Sequence, residues 1–280
     1  MLICLLFAVV LLPYRVSLLL GRMIGWVVCH IAVKYRREAE DNLRSAFPGM
    51  KAAEIKRLRD DCFMNIGMNL IEFGLFSFRP QDFWMRRIRI SGEENLRENL
   101  AAGRGVIILS GHIGNWELLG AYLSMIGYPI NVVARRIYDR RLDALLVWIR
   151  GKSRVRTIYR SGRDNMKKMI RSVKKGEALG ILVDQDTRVG GVFVDFFGKP
   201  AYTPTAVSQF ARIRNSVVVP GFIVREKNLG HRVILMDPVE CVGDEREQTQ
   251  KHTEIIENII REYPSQWVWM HKRWKKQPVY

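Results

Sequence analysis

The sequence has few cysteines, the residues that build disulfides and thiolate metal sites. It contains 4 cysteines in 280 residues, and their positions lack the close spacing of a metal site or a redox pair. A chain of this length can build a core without a disulfide framework, and scattered cysteines are typical of a reducing compartment. No short segment supplies three or four converging ligands, so the sequence predicts no metal site.

Three common functional motifs are also missing. There is no G-x-x-x-x-G-K-[ST] loop, no G-x-G-x-x-G fingerprint and no G-x-S-x-G elbow. The sequence therefore gives no sign of a P-loop nucleotide site, a dinucleotide site or an α/β-hydrolase nucleophile. It also lacks internal repeats and low-complexity linkers, which favours one catalytic domain.

Acidic residues are scarce relative to basic ones. The chain has 45 Lys and Arg against 28 Asp and Glu, a formal net charge of +17, and 48% hydrophobic residues. That much apolar material excludes a disordered chain. A strong positive field is typical of proteins that bind nucleic acid, an anionic membrane, or acidic proteins and phosphorylated substrates.

The N-terminus suggests which of these partners applies. Met1–Leu12 is almost wholly apolar, Val16–Val33 is largely apolar, and Lys34–Arg37 is basic. Twelve residues are too few to span a bilayer, but the two halves together would span once with a kink or lie as an interfacial hairpin. A buried helical hairpin is the alternative. We predict a membrane anchor over residues 1–37 and a catalytic domain over 38–280, on the cytoplasmic side by the positive-inside rule.

The most informative stretch is Gly105–Gly120. Its β-branched run Val106–Leu109 predicts a buried strand, and Asn115 begins a helical pattern. His112 then lies in the strand–helix turn and Glu117 in the first helical turn. This placement suits a carboxylate that orients an imidazole acting as a general base. The alternative is a surface turn histidine followed by a helix-capping glutamate.

Other candidate ligand-binding residues follow predicted strands. Arg135 comes after the strand Ile130–Ala134, and Arg160 follows another short strand. Asp184 and Gln185 end the apolar run that begins at Ala178. Ligands gather at strand ends in open α/β sheets, and arginine suits phosphate recognition. The alternatives are solvated arginines and an ordinary turn cap.

Strands alternate with helices along most of the chain. This order predicts an α/β fold whose single-domain mixed sheet is flanked by helices, with an N-terminal apolar membrane-anchoring helix. Trp84–Ile90 is predicted as a strand with one solvated face, and 190–198 as a loop or hairpin. The tail Trp267–Trp274 mixes aromatics with cations, which fits either an interfacial anchor or a packed C-terminal strand.

With these features in view, the chain resembles the lauroyl/myristoyl lipid A biosynthesis acyltransferases, a branch of the membrane acyltransferases with an H-x4-D/E motif. The resemblance covers nearly the whole chain and depends on several blocks in order. These are Leu12–Arg15, the Gly21/Gly25 helix, Asn42–Pro48, His112–Glu117, Asp184–Asp186, Gly191–Pro200 and Trp269–Trp274.

The resemblance implies a glycerolipid-acyltransferase-like fold and an inner-membrane enzyme that faces the cytoplasm. Such an enzyme transfers a fatty acyl chain from acyl carrier protein, or acyl-CoA, to a hydroxyl of a glycolipid, here a lipid A precursor. His112 would be the general base and Glu117 would hold its imidazole, with Arg135 or Arg160 stabilising the oxyanion. No metal or organic cofactor is implied, and the expected partners are the acyl donor, the glycolipid and anionic membrane, not nucleic acid.

Two alternatives remain open from the sequence. The same chemistry on a phospholipid or a mannosylated phosphatidylinositol would use the same motif. A non-enzymatic basic protein that binds membrane or nucleic acid would account for the charge, but it leaves the His112–Glu117 pair unexplained.

Overall fold

The computed structural model describes residues 11–278, which form a seven-stranded mixed sheet covered by helices, with a small two-stranded sheet beside it. The helices are α1 (Tyr14–Ile31), α2 (Val33–Ala46), α3 (Ala52–Phe76), α4 (Gln81–Met85), α5 (Glu93–Ala101), α6 (Trp116–Met125), α7 (Arg140–Lys152), α8 (Arg163–Lys174), α9 (Ala206–Ala211) and α10 (Glu245–Glu262). The strands are β1 (Ile88–Ser91), β2 (Gly105–Ser110), β3 (Ile130–Ala134), β4 (Arg156–Tyr159), β5 (Ala178–Leu182), β6 (Gly191–Phe196), β7 (Lys199–Pro204), β8 (Ser216–Arg225) and β9 (His231–Leu235).

The large sheet has the order β1-β9-β8-β2-β5-β3-β4. Strands β8, β2, β5, β3 and β4 run parallel to one another, while β9 pairs antiparallel with β8 and β1 runs parallel to β9. The carboxyl ends of the five parallel strands and the amino ends of β1 and β9 therefore share one edge of the sheet. The prediction of a mixed α/β sheet flanked by helices is confirmed.

The central strand β2 is buried on both faces. Val106 and Ile108 belong to one core, which includes Leu118 of α6, and Ile107 and Leu109 belong to the other, which includes helices α8 and α10. Neighbouring residues of a strand point to opposite faces, so a continuous apolar run is required when helices cover both sides. This explains why Val106–Leu109 is apolar throughout.

Helix α1 packs closely against α3. A Cβ atom on Gly67 would lie 2.0 Å from the carbonyl oxygen of Gly21, so the two backbones approach too closely for a side chain. Among residues 11–278, no one helix has both the length and the apolar character needed to cross a bilayer; α1 and α2, which meet at a bend of 93°, satisfy those criteria only as a pair. Residues 1–10 of the predicted anchor lie outside the described part of the chain.

Three sequence predictions change in detail. The predicted strand Trp84–Ile90 begins only at Ile88, because Trp84 belongs to α4 and is fully buried against Phe76. The segment 190–198, predicted as a loop or hairpin, contains β6 and the turn of a hairpin whose second strand is β7. In the tail, Trp267 and Trp269 are buried with ring centroids 4.6 Å apart, so the tail packs into the core, mostly without regular strand pairing.

Candidate active site

His112 lies in the tight turn between β2 and α6, at the carboxyl edge of the sheet. Asn115 caps the helix, because its side chain accepts a hydrogen bond from Leu118 N at 3.2 Å. Gly114 has φ +56°, and a Cβ atom there would lie 1.8 Å from the carbonyl oxygen of Ile223. The turn therefore requires glycine at position 114. The turn holds His112 beside the end of the neighbouring strand β5.

Asp184, which follows β5, holds His112 through both its backbone and its ring. Its Oδ1 lies 2.8 Å from Nδ1 of the imidazole, and its Oδ2 accepts the His112 backbone N–H at 2.7 Å. Because an ionised carboxylate only accepts hydrogen bonds, Nδ1 is the donor, and in the neutral ring the lone pair is therefore on Nε2. This is the tautomer that a general base needs.

The carboxylate of Asp184 stays charged although it is 2% exposed. Burial acts to raise its pKa, but the charge of His112 and hydrogen bonds from His112 and Trp267 outweigh burial and lower the pKa to about 2. Trp267 Nε1 donates to Oδ2 at 2.7 Å, which is one reason why the aromatic tail is buried. Asp184 was predicted to bind substrate; in the structure it lies behind the imidazole instead.

Glu117 does not hold the imidazole, contrary to expectation. Its two carboxylate oxygens accept hydrogen bonds from Nε and Nη2 of Arg150 on α7, at 2.8 and 2.6 Å. Burial acts to lower the pKa of Arg150, but the hydrogen bond and charge of Glu117 raise it. Asp184 reaches Nδ1 because β5 neighbours β2, whereas Glu117, in the first turn of α6, faces α7. Sequence reasoning missed Arg150, which lies inside a helix rich in basic residues.

One cavity of about 220 Å³ brings most of the predicted site residues together. His112, Glu117, Arg135, Arg160 and Gln185 all line it, and its apolar wall contains Ala121, Val132, Val155 and Ile181. Burial and the charge of Arg135 lower the pKa of Arg160, and both arginines line the same cavity. Like charges of this kind favour an anionic ligand.

A buried polar cluster supports the turn from behind. Glu72 of α3 is fully buried, forms a two-point ion pair with Arg225 at 2.7 Å, and contacts His231 Nε2 at 2.9 Å. It also accepts a hydrogen bond from Asn115 Nδ2 at 2.9 Å. The charges of Arg225 and His231 overcome the effect of burial and hold the pKa of Glu72 well below its ordinary value. The cluster thus fixes the residue that caps α6.

Within residues 11–278, no three His, Cys, Asp or Glu side chains are grouped closely enough to hold a metal ion. The arrangement offers instead a general base with a fixed tautomer, a guanidinium held by a carboxylate, and an apolar cavity between them. These groups suit proton transfer from a hydroxyl and attack on a carbonyl.

Comparison with known proteins identifies the family. Residues 1–276 match the family model described as bacterial lipid A biosynthesis acyltransferase. The chain belongs to this acyltransferase family. This confirms the predicted family and makes the protein an acyltransferase.

Several relatives align with most of the chain. It is 30% identical to the lipid A biosynthesis lauroyltransferase of Escherichia coli over 98% of this chain and 90% of the relative. It is 28% identical to the palmitoleoyltransferase of the same organism, over 96% and 88%. A phosphatidylinositol mannoside acyltransferase of Mycobacterium tuberculosis is 24% identical over 66% of this chain and 59% of that protein.

Proposed function

We propose that this acyltransferase moves a fatty acyl chain from acyl carrier protein to a hydroxyl of a lipid A precursor, at the cytoplasmic face of the inner membrane. The observation that carries the proposal is the Asp184–His112 contact of 2.8 Å through Nδ1, in a histidine that lines the cavity. The names of the E. coli relatives support lipid A as the acceptor class.

His112 acts as the base in this mechanism. Nε2 takes the proton of the acceptor hydroxyl, and the oxygen attacks the thioester carbonyl. The tetrahedral intermediate then expels the thiolate as the C–S bond breaks, and the imidazolium returns its proton to the sulfur. Asp184 stabilises the imidazolium, as a buried carboxylate does in hydrolase triads.

Glu117 remains in the catalytic set with a revised role. It holds Arg150 by Nε and Nη2, which leaves Nη1 available to stabilise the negative charge that develops on the carbonyl oxygen. Arg135 and Arg160, with Gln185, bind substrate at the cavity mouth, where two guanidinium groups favour a phosphate of the acceptor or of the donor's prosthetic group. The wall of Val132, Val155 and Ile181 takes the start of the acyl chain.

Helix α1 supplies the membrane contact. Leu19, Met23 and Trp26 are 56%, 55% and 50% exposed, and they lie on the face of α1 opposite Gly21 and Gly25, which pack on α3. Exposed apolar side chains along one helical face are typical of a helix that lies in the membrane interface. Residues 1–37 together form the proposed anchor of the catalytic domain 38–280.

The test is acyl transfer from labelled acyl carrier protein into a purified lipid A precursor in mixed micelles. His112→Asn should lower kcat by about 10²–10⁴, the usual contribution of a general base. The matched control is His30→Asn, because His30 is exposed on α1 and hydrogen-bonds only the Trp26 carbonyl among described residues. Near-normal turnover by folded His112→Asn would refute the mechanism. Acyl-CoA, lysophospholipid and mannosylated phosphatidylinositol tested in parallel would identify a different donor or acceptor.

A further inference from the structure

A second cavity lies beside the start of α1 and is lined by cations. It measures about 560 Å³, and we call it the arginine cavity after Arg15, Arg86, Arg87 and Arg89. Among the described residues that line it, Glu226 is the one acid. Four guanidinium groups around one concave space leave a large excess of positive charge.

Within residues 11–278, none of the four arginines forms an ion pair. Arg87 is fixed, because it stacks 3.7 Å from the centroid of Phe83 and donates to the Phe83 carbonyl oxygen at 2.9 Å. Arg15, Arg86 and Arg89 are exposed, and no side-chain ion pair or hydrogen bond of theirs occurs within residues 11–278. Guanidinium groups that are close together without acids bind phosphate well, because each presents a planar fork of donors.

The arginine cavity opens at the same edge of the sheet as His112. Arg86 and Arg87 precede the amino end of β1, and Gly230 precedes the amino end of β9, both at that edge. Three strand spacings separate β1 from β2, which is roughly 14 Å. The two cavities are therefore distinct, and the cluster around Glu72 lies on the β8–β9 side between them.

The position of α1 indicates what the cavity meets. Tyr14, the first residue of α1, lines the cavity, and the exposed apolar side chains of α1 begin at Val16. Where these side chains enter the apolar layer of a membrane, the adjoining arginines lie at the depth of the phosphates.

We infer that the arginine cavity binds the phosphate of an anionic bilayer phospholipid and so fixes the catalytic edge of the sheet against the membrane. This inference deepens the proposed membrane attachment and rests on it. It adds a lipid site that is separate from the acyl-transfer cavity and has no part in the chemistry.

The experiment measures lipid binding without turnover. Detergent-solubilised full-length protein is titrated with dioctanoyl-phosphatidylglycerol, with dioctanoyl-phosphatidylcholine, and with inorganic phosphate against chloride at equal ionic strength, by calorimetry. Arg86→Gln/Arg89→Gln should weaken phosphatidylglycerol binding by about tenfold to thirtyfold, since each arginine near an anionic surface contributes about 1 kcal/mol. Phosphatidylcholine should bind more weakly than phosphatidylglycerol to the wild type and should change little in the variant.

Two further variants distinguish a specific binding site from general electrostatic attraction by the basic surface. Arg212→Gln/Arg214→Gln removes the same charge from exposed residues before the amino end of β8, at the opposite edge of the sheet, and should change the affinity less than twofold. Arg86→Lys/Arg89→Lys keeps the charge but loses the planar fork, and should weaken binding at least threefold.

Equal losses of phosphatidylglycerol affinity in the two glutamine variants, or wild-type affinity in the lysine variant, would contradict a specific site in the arginine cavity. Inorganic phosphate that binds as tightly as phosphatidylglycerol would overturn its assignment to a lipid. Failure of the acyltransferase mechanism would leave these affinities unchanged, because the titration involves no acyl donor. Conversely, Arg86→Gln/Arg89→Gln should turn over the lipid A precursor normally in micelles without phospholipid, even where phosphatidylglycerol binding is lost.

Discussion

Asp184 Oδ1 lies 2.8 Å from Nδ1 of His112, and the same carboxylate also accepts the backbone N–H of that histidine. Two hydrogen bonds from one residue to one carboxylate fix both the position of the turn and the orientation of the ring. In the proposed mechanism, the base is thus oriented before substrate binds. Catalysis gains when such a group needs no reorganisation.

The first prediction concerns Asp184→Asn. An asparagine can donate its amide hydrogen to Nδ1, which places the imidazole proton on Nε2 and removes the base. We expect kcat to fall by about 10²–10⁴ with a small change in KM. Acyl transfer and melting temperature should be measured for Asp184→Asn and for Asp237→Asn, an exposed residue at the opposite edge of the sheet whose loss should be silent. An unchanged kcat in Asp184→Asn would contradict the role of the pair.

The second prediction concerns the Glu117–Arg150 pair. Glu117→Gln and Arg150→Gln should each lower kcat, and the double variant should be little worse than the worse single one, because each residue acts through the other. A double-mutant cycle between Glu117 and His112 should show a smaller coupling energy than the cycle between Glu117 and Arg150. Additive losses for Glu117 and Arg150 would show that the contacts of 2.6 and 2.8 Å have no joint function.

The positions of the site residues could be predicted from the sequence better than their contacts. His112, Arg135, Arg160 and Gln185 each follow a strand that the apolar pattern reveals, and parallel strands bring such residues to one edge. The contact of Asp184 with His112 depends on β5 being the neighbour of β2, which no local pattern encodes.

Two further features could not have been found in the sequence. Arg150 is one of 45 lysines and arginines, and only the packing of α7 brings it to Glu117. The cluster around Glu72 joins residues that are 153 and 159 positions apart, so its members look like ordinary charges on a helix and two strands. The fold class, by contrast, follows from periodicity, since buried runs such as Val106–Leu109 and amphipathic helices alternate along the chain.

The third prediction tests that buried cluster. Glu72→Ala leaves Arg225 charged and without its partner in the core, so the free energy of unfolding should fall by about 3–5 kcal/mol. Urea unfolding in detergent would measure the change. Glu54→Ala, at an exposed position of the same helix α3, should lower it by no more than about 0.5 kcal/mol. A loss in Glu72→Ala as small as that of Glu54→Ala would mean that the cluster does not stabilise the fold.

The fourth prediction concerns stability in acid. Burial, with a smaller effect of the Lys251 charge, lowers the pKa of His252 to about 4. In the unfolded chain this histidine therefore binds a proton near pH 6.5, whereas in the folded chain it binds one only near pH 4. Stability is lost as the pH falls through this window. Between pH 7 and pH 5 this histidine should account for about 2 kcal/mol of lost stability. His252→Gln should lose correspondingly less over that interval than wild type or His30→Gln, and equal losses in all three would contradict the assignment.

The last prediction concerns the charge at the mouth of the active-site cavity. Arg135 and Arg160 line the same cavity, where burial and the charge of Arg135 lower the pKa of Arg160. An acidic carrier protein or a phosphorylated lipid would relieve the repulsion between the two guanidinium groups. Charges of this kind steer encounter more than they stabilise the bound state, so raising the salt concentration should lower kcat/KM much more than kcat.

Arg135→Glu/Arg160→Glu should lower kcat/KM by about tenfold to a hundredfold at low salt, and the difference from wild type should shrink as salt is added. Lys51→Glu/Lys56→Glu makes the same change in net charge at exposed positions around the start of α3. If long-range attraction by the whole basic surface dominated, the two pairs would be equally harmful. A loss confined to Arg135 and Arg160 would show that the acidic substrate is recognised at the mouth of the cavity that contains His112.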